Sequence, residues 1–231
     1  MRQLLSMFIV LFTVIFLSNS SFAQTGTVKY VYTLDYVVGK KAEYLDWVKT
    51  IVNVLQAPEE VVSIVSYENY LNASPQRVIE YEFTNTVDAA NYFANPEIRK
   101  VVEEAANRSI NRKIEVRQMR GDYSGEESKG GNIKYVFSLD YALGGKAEYL
   151  EWVRSIADKI QAPEELLRIT TYDNYFNASP TRIIEFEFES MEDAVNYFEI
   201  PEIKYIVETS VDKSLNHKIS ILRLRGDYNK N

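Results

Sequence analysis

Residues 77–97 read RVIEYEFTNTVDAANYFANPE, and residues 182–202 read RIIEFEFESMEDAVNYFEIPE. The first seven positions of each stretch alternate in character. Ile79, Tyr81 and Phe83 occupy one set of positions, and Glu80 and Glu82 occupy the other. Strict alternation is the signature of a β-strand with one buried face, because successive side chains of a strand point in opposite directions. Each stretch therefore predicts a strand whose acidic face is turned away from its apolar face.

A helix start follows each of these strands. Asn85 and Ser190 stand three residues before Asp88 and Asp193. This spacing resembles a capping box in which Asp takes the place of Glu. The helix predicted from this point is interrupted before Pro96 and resumes to about residue 106, because proline cannot continue a helix from within it.

The two stretches belong to a longer internal repeat. Residues 28–123 match residues 133–228 without a gap, with about half of the positions identical. Arg-Gly-Asp-Tyr closes both copies, at 120–123 and 225–228, and its glycine is expected to supply a turn after the last strand. Two copies of a long period indicate a duplicated domain. Residues 124–132, rich in glycine, serine and charge, are predicted to form a flexible linker.

The remaining elements follow from periodicity. Residues 28–36 alternate as a strand, and the spacing then becomes helical, with an apolar stripe that includes Tyr44, Trp47 and Ile51 and ends before Pro58. Residues 64–70 and 113–119 are predicted strands, and residues 72–75 carry a turn signal. Each copy therefore has the order βαββαβ, which is a ferredoxin-like unit of the α+β class.

The N-terminus has the three parts of a secretory signal. Arg2 precedes an apolar run from Leu4 to Leu17, and small and polar residues follow up to Ala23. The run is too short for a membrane span, which needs about 20 residues. We expect a signal peptide at 1–23, a first repeat at 24–123, the linker at 124–132 and a second repeat at 133–231, in a protein exported to the periplasm or the cell exterior. The alternative is an uncleaved membrane anchor.

The composition excludes several kinds of site. The chain has no cysteine and a single histidine, His217, so thiolate chemistry and a zinc site built on histidines are ruled out. No Asp-x-Asp-x-Asp-Gly calcium loop occurs, and we expect neither a metal nor a cofactor. The formal net charge is -7 without a basic cluster, so nucleic acid and anionic membrane surfaces are not expected partners.

Two segments in each copy resemble a known superfamily. They are residues 39–44, and Phe83 together with the run 87–97, with counterparts at 144–149 and 188–202. The pattern resembles the dimeric α/β-barrel superfamily, which includes antibiotic-biosynthesis monooxygenase-like, EthD-like and NIPSNAP-like proteins. The resemblance implies that two ferredoxin-like units pair and close a barrel with the helices outside. Here both units lie in one chain, as an intramolecular pseudo-dimer, and further oligomerisation is left open.

Charged residues on the polar faces of the strands are the main candidates for a site. If the apolar faces meet the helices, the acids and two lysines point into the barrel interior: Glu80, Glu82, Glu185, Glu187, Lys29 and Lys134. One interpretation is a polar pocket with an acid or base of shifted pKa. The other is a structural ion-pair network, or a wet lumen.

Aromatic and amide side chains at the ends of the second strands are further candidates. They are Tyr67 and Asn69 in the first copy and Tyr172 and Asn174 in the second. Such groups suit a flat or sugar-like ligand. They also suit a hairpin that packs on its neighbour.

Three functions of different classes remain open. The first is an exported protein that binds a small molecule without catalysis, which the aromatic content and the lack of a catalytic triad or phosphate loop favour. The second, implied by the resemblance, is a cofactor-independent oxygenase or an acid–base cyclase or isomerase. The third is a self-associating structural protein of the exported class.

The signal sequence gives the first testable prediction. Protein purified from its native host should lack residues 1–23, because cleavage is expected after Ala23. Intact-mass spectrometry measures this directly. A mass that still includes Met1–Ala23 would show that the segment is retained.

Overall fold

The computed structural model describes residues 27–123 and 130–228, so the predicted signal peptide and most of the predicted linker lie outside it. The first repeat contains β1 (Val28–Tyr36), α1 (Lys41–Gln56), β2 (Val61–Asn69), β3 (Arg77–Phe83), α2 (Thr86–Ala94), α3 (Pro96–Asn107) and β4 (Ser109–Asp122). The second contains β5 (Ile133–Tyr141), α4 (Lys146–Gln161), β6 (Arg168–Asn174), β7 (Arg182–Phe188), α5 (Met191–Glu199), α6 (Pro201–Asp212) and β8 (Ser214–Asp227). Each repeat has the predicted βαββαβ order, with its second helix divided in two.

The predicted caps begin α2 and α5. The Asn85 side chain accepts hydrogen bonds from the backbone N–H groups of Val87 and Asp88, at 2.8 and 2.9 Å. Ser190 and Asp193 form a reciprocal capping box, in which each side chain accepts a hydrogen bond from the other residue's backbone N–H. Local polar residues therefore set where these helices start.

The eight strands close into one antiparallel barrel in the order β1-β3-β2-β8-β5-β7-β6-β4. Two seams join the repeats edge to edge, β2 with β8 and β4 with β6. This confirms the predicted pseudo-dimeric α/β barrel. Closure pairs the outer strands of each repeat with the outer strands of the other repeat. Each edge of the two four-stranded sheets is therefore hydrogen-bonded along part of its length.

The last strand of each repeat is longer than the sequence indicates. Residues 113–119 were the predicted extent in the first repeat, but β4 runs over Ser109–Asp122. Residues 109–118 pair with β1, and residues 117–122 pair with β6 of the other repeat. The additional residues form a strand because of partners distant in sequence, for which the local pattern has no signal.

The two faces of the barrel wall have different neighbours. On the outside, Ile79 and Phe83 pack with Tyr44, Val48 and Tyr92 from the helices of the first repeat. On the inside, apolar side chains from both repeats meet: Val31, Tyr67, Val78, Val136, Tyr172, Ile183 and Leu222. The alternation in β3 and β7 therefore has the predicted orientation, with the apolar faces toward the helices and the acids toward the interior.

The Arg-Gly-Asp-Tyr tetrapeptides form backbone hydrogen bonds between the two repeats. The backbone N–H of Tyr123 donates to the carbonyl of Ile169, and that of Tyr228 donates to the carbonyl of Ile64, both at 2.9 Å. A Cβ atom on Gly226 would lie 2.5 Å from the Tyr228 hydroxyl. The glycine therefore makes room for the tyrosine ring that folds back over the strand, rather than supplying the expected turn. No helix in residues 27–123 or 130–228 is long and apolar enough to cross a membrane.

The seams predict that one repeat is not a stable monomer. Residues 28–123 expressed alone would leave the β2 and β4 edges without β8 and β6, and unpaired strand edges drive association. We expect a homodimer or an aggregate in size-exclusion chromatography with light scattering, and the full chain is the reference. A soluble, monomeric half at high concentration would contradict this account of the seams.

Candidate functional site

A ring of four ion pairs lies inside the barrel. The Nζ of Lys29 donates to Glu80 Oε2 and Glu185 Oε2, both at 3.0 Å. The Nζ of Lys134 donates to the same two oxygens, at 2.9 and 3.1 Å. None of the four residues is more than 7% exposed. Each repeat contributes one lysine and one glutamate, so every charge touches partners from both repeats.

The ring shifts the pKa values of Lys29, Lys134 and Glu185 toward their charged forms. Burial lowers the pKa of Lys29 and Lys134, but Glu185 and Glu80 outweigh this effect and raise both pKa values well above the ordinary value. Burial raises the pKa of Glu185, but Lys134, Lys29 and Arg117 hold the pKa of that carboxyl well below its usual range. At neutral pH Lys29, Lys134 and Glu185 are therefore ions, and none of these three is poised to exchange a proton.

The predicted tyrosines lie beside this ring. Lys134 Nζ is 4.4 Å from the centre of the Tyr67 ring, and Lys29 Nζ is 4.5 Å from the centre of the Tyr172 ring. These are cation–π distances. The phenol rings therefore help to surround the lysines, and their contact with a ligand stays a prediction.

The predicted amides close the hairpin turns. Asn69 Oδ1 accepts from the backbone N–H of Leu71 at 3.1 Å, and Asn174 Oδ1 accepts from that of Phe176 at 3.0 Å. Such bonds are Asx turns, which fix the chain direction after a strand. Both amides are buried and are used by the fold in this way. A ligand contact for them also stays a prediction.

The ring is not fully symmetric. Arg117 Nη1 donates to Glu185 Oε1 at 2.8 Å. The residue that matches Arg117 in the second repeat is Leu222, which has no donor. Glu80 Oε1 is buried, and because Leu222 offers no donor it has no hydrogen-bond partner among the atoms that the structure describes.

The other two predicted acids differ in their surroundings. Glu187 is buried, lies 3.4 Å from Lys134 Nζ and accepts from the backbone N–H of Gly131 at 3.1 Å. Glu82, its counterpart, is half-buried and accepts from Ser63 Oγ at 3.1 Å. The interior acids therefore differ in burial, from the buried Glu80 and Glu185 of the ring to the half-buried Glu82. This geometry favours a structural ion-pair network over an open pocket.

A cleft of about 390 Å³ lies instead outside the barrel wall, beside α1 and the ends of β2, β3 and β8. It is lined by Ala42, Leu45, Asp46, Val48, Lys49, Val52, Glu68, Arg77, Arg225 and Tyr228. Arg225 and Tyr228 belong to the second repeat and the other residues to the first. Both repeats are therefore needed to build its wall.

Arg77 is the unusual member of this wall. Its side chain is 1% exposed, and its Nη2 donates to Ser66 Oγ at 3.0 Å and to the Tyr228 hydroxyl at 3.4 Å. Its Nε and Nη1 have no acceptor in hydrogen-bonding geometry in the described part of the chain, and the Tyr36 hydroxyl is a further polar neighbour of the guanidinium. Its counterpart Arg182 donates to Asp173 Oδ1 at 3.2 Å, in a buried ion pair. Arg77 has no such carboxylate among the described ion pairs.

Glu68, which matches Asp173, is held by other cations. Lys41 Nζ lies 3.0 Å from Glu68 Oε1, the Arg225 guanidinium contacts Oε2, and Arg223 is 4.0 Å away. Burial raises the pKa of Glu68, but Lys41 and Arg225 outweigh burial and lower it overall. Three cations, Lys41, Arg223 and Arg225, therefore lie against this one carboxylate.

The Arg77 guanidinium remains charged. Burial lowers its pKa, but the hydroxyls of Tyr36, Tyr44 and Tyr228 outweigh burial and raise the pKa above the ordinary value. The Tyr44 ring also lies 5.7 Å below the guanidinium. The cleft therefore contains a permanent, buried positive charge whose donors are only partly used.

The sequence interpretation did not identify this cleft. One signal was available, since Arg77 falls on the same strand face as Ile79, Tyr81 and Phe83. A charged residue on an otherwise apolar face needs a partner or a function. The contribution of Tyr228 could not be read in this way, because it depends on a seam between distant strands.

A second cleft of about 380 Å³ lies near the start of α1 and the end of α3. Its charged groups have partners: Glu43 lies 2.7 Å from Lys40 and 3.8 Å from Arg108, and Glu104 accepts from Trp47 Nε1 at 2.9 Å. Within residues 27–123 and 130–228, no group of three or more His, Cys, Asp or Glu side chains is arranged to hold a metal ion.

Comparison with known proteins identifies the fold. No family model and no curated protein matches the chain. A protein of Fusobacterium nucleatum proposed to be a monooxygenase is similar in structure, with a TM-score of 0.72 and 12% identity over 90% of this chain and 96% of that one. A mutant chlorite dismutase from Candidatus Nitrospira defluvii has a TM-score of 0.60 and 9% identity, over 88% and 93%.

A third structure bears directly on the sequence resemblance. It is a ferredoxin-fold protein from Listeria monocytogenes related to antibiotic biosynthesis monooxygenases, with a TM-score of 0.50 and 9% identity over 87% of this chain and 96% of that one. These likenesses confirm that the chain has the fold of the dimeric α/β-barrel superfamily. At such low identity they are evidence about the fold alone.

The ring predicts a large difference between two chemically equal substitutions. Glu185→Gln should lower the free energy of unfolding by about 3–5 kcal/mol, because it leaves buried cations without their counter-charge. Glu82→Gln, on a partly exposed residue that bonds only Ser63 among its described hydrogen bonds, should cost about 1 kcal/mol or less. Urea denaturation of both variants measures this, and equal effects would refute the ring as a buried network.

Proposed function

We propose that the protein binds a small organic anion in the cleft beside α1, with the acid group held against Arg77. The observation that carries this proposal is the buried guanidinium of Arg77, which has unused donors and no carboxylate partner among the described residues. Arg182, in the equivalent position of the second repeat, is paired with Asp173, which also contacts Arg120 and Lys146. The first repeat therefore has the charge that a ligand would complete.

Electrostatics support an anionic ligand. A buried charge is costly unless an opposite charge and hydrogen bonds compensate it. Arg77 provides Nε and Nη1 as donors, and hydrogen bonds between a guanidinium and a carboxylate are among the strongest in proteins. Lys41, Arg223 and Arg225 lie around Glu68, which lines the same cleft, and these three cations outnumber that one carboxylate, which would attract an anion to a chain that is acidic overall.

The apolar residues of the cleft wall constrain the part of the ligand that does not carry the acid group. Leu45, Val48 and Val52 line the cleft along one side of α1. Ligand sites of a few hundred Å³ with mostly apolar walls and a few polar groups suit drug-sized molecules. The arrangement therefore favours a monocarboxylate with an aromatic or branched aliphatic body.

Binding is supported better than catalysis. An oxygenase or an acid–base enzyme would need a group in the cleft able to take or give a proton near neutral pH. Glu68 is the buried carboxylate of the wall, and its pKa is lowered, so it is a weak base. We also propose that binding takes place after export, on the basis of the signal sequence at residues 1–23.

The proposal predicts binding that depends on Arg77. In thermal-shift and calorimetric titrations with phenylacetate, benzoate and 3-methylbutanoate, the wild-type midpoint should rise with at least one acid, and the matching neutral amide should have no effect. Arg77→Gln should weaken binding by about 1.5–3 kcal/mol, the usual contribution of a hydrogen bond to a charged group.

Arg182→Gln is the matched control, because it removes the equivalent arginine from a site that already has its own carboxylate. It should keep the wild-type affinity at temperatures where circular dichroism shows it folded. The proposal fails if the wild type binds none of the acids at millimolar concentration, or if Arg77→Gln binds them as tightly as the wild type.

A further inference from the structure

Tyr228 crosses from the second repeat into the cleft of the first. Its backbone N–H donates to the Ile64 carbonyl at 2.9 Å, and the Gln56 side-chain amide donates to its carbonyl oxygen. Gly226 leaves the space in which its ring folds back over β8. The phenol is therefore fixed in place by contacts on both sides of the β2–β8 seam.

The hydroxyl of Tyr228 is used as an acceptor. Arg77 Nη2 and Ser66 Oγ both donate to it, each at 3.4 Å. A phenol hydroxyl carries one donor in addition to its acceptor capacity. These two bonds leave its proton available, and Tyr228 lines the same cleft as Arg77.

We infer that the Tyr228 hydroxyl contacts the ligand directly, donating a hydrogen bond to the acid group that Arg77 holds. This inference rests on the proposed function. It makes Tyr228 a specificity residue for oxygen acids, since an oxygen acceptor must lie within reach of both the guanidinium and the phenol. It also makes the site composite, because the first repeat provides the charge and the second provides the hydroxyl.

A composite site has a consequence for stability. A ligand that bonds Arg77 of β3 and Tyr228 at the end of β8 bridges the β2–β8 seam. Its binding should slow local opening there, and the backbone N–H of Tyr228, bonded to Ile64, reports such opening. The seam between the repeats and the binding site would thus be coupled.

Tyr123 provides the matched control. It ends the first repeat as Tyr228 ends the second, and its backbone N–H bonds Ile169 in the same way. Its side chain is 47% exposed, and the arginine in the equivalent position beside it, Arg182, is paired with Asp173. Removing the Tyr123 hydroxyl therefore leaves the proposed site unchanged.

The test compares Tyr228→Phe and Tyr123→Phe in the full-length mature chain, with phenylacetate and phenylacetamide as probes in calorimetry. Tyr228→Phe should raise the dissociation constant for phenylacetate roughly tenfold or more, and Tyr123→Phe should leave it within about twofold. Hydrogen exchange at the Tyr228 amide should slow with phenylacetate in the wild type. Thermal melts of both variants confirm that each is folded.

The outcomes separate the two proposals. If Tyr228→Phe binds phenylacetate as tightly as the wild type, or more tightly, while Arg77→Gln loses binding, the tyrosine contact is wrong and the proposed function stands. If Arg77→Gln also binds like the wild type, or if the wild type does not bind phenylacetate, the proposed function itself is wrong for this cleft.

Discussion

The ring formed by Lys29, Glu80, Lys134 and Glu185 is the constraint on which the rest of the structure depends. Four ions lie in the interior of the barrel at distances of 2.9–3.1 Å, and isolated ions would not be stable there. Each ion has one partner in its own repeat and one in the other, so its full set of ion pairs forms only when both repeats are present and correctly oriented. The closed barrel and the ring therefore require each other.

A buried ring of this kind sets the arrangement of the repeats more clearly than it adds stability. Buried ion pairs often contribute no more than well-packed apolar residues would, while breaking one is expensive. An incorrect register of the seams would place lysine against lysine or glutamate against glutamate. The alternating charges thus favour the pseudo-two-fold arrangement, in which β2 meets β8 and β4 meets β6.

Departures from this symmetry mark where the two repeats differ in chemistry. Inside the barrel, Arg117 bonds Glu185, whereas Leu222 leaves Glu80 Oε1 without a donor among the described atoms. Outside the wall, Asp173 pairs with Arg182, whereas Arg77 has no equivalent partner in the described ion pairs. After a duplication both copies need to preserve the shared core, but one copy alone can carry a site. The cleft beside α1 is such a difference.

Much of the fold could be predicted because its signals are local. The alternation around Glu80 and Glu185 placed the acids inside, and the caps at Asn85 and Ser190 placed two helix starts. The additional residues of β4 and the position of Tyr228 depend on strands that are distant in sequence, and no local pattern specifies them. The charged interior could therefore be predicted from the sequence. The cleft could not, because it is built where strands of the two repeats pair, and that pairing is seen only in the folded chain.

A double-mutant cycle between Lys134 and Glu80 tests the central claim most directly, because these residues come from different repeats and lie 2.9 Å apart. Lys134→Met, Glu80→Gln and the double variant would be compared by denaturant unfolding, with the exposed pair Lys40 and Glu43 as control. The account predicts a coupling free energy of about 1–3 kcal/mol for the interior pair and less than about 0.5 kcal/mol for the exposed pair. Additive effects at Lys134 and Glu80, within about 0.5 kcal/mol, would contradict the claim that charges shared inside the barrel hold the two repeats in register.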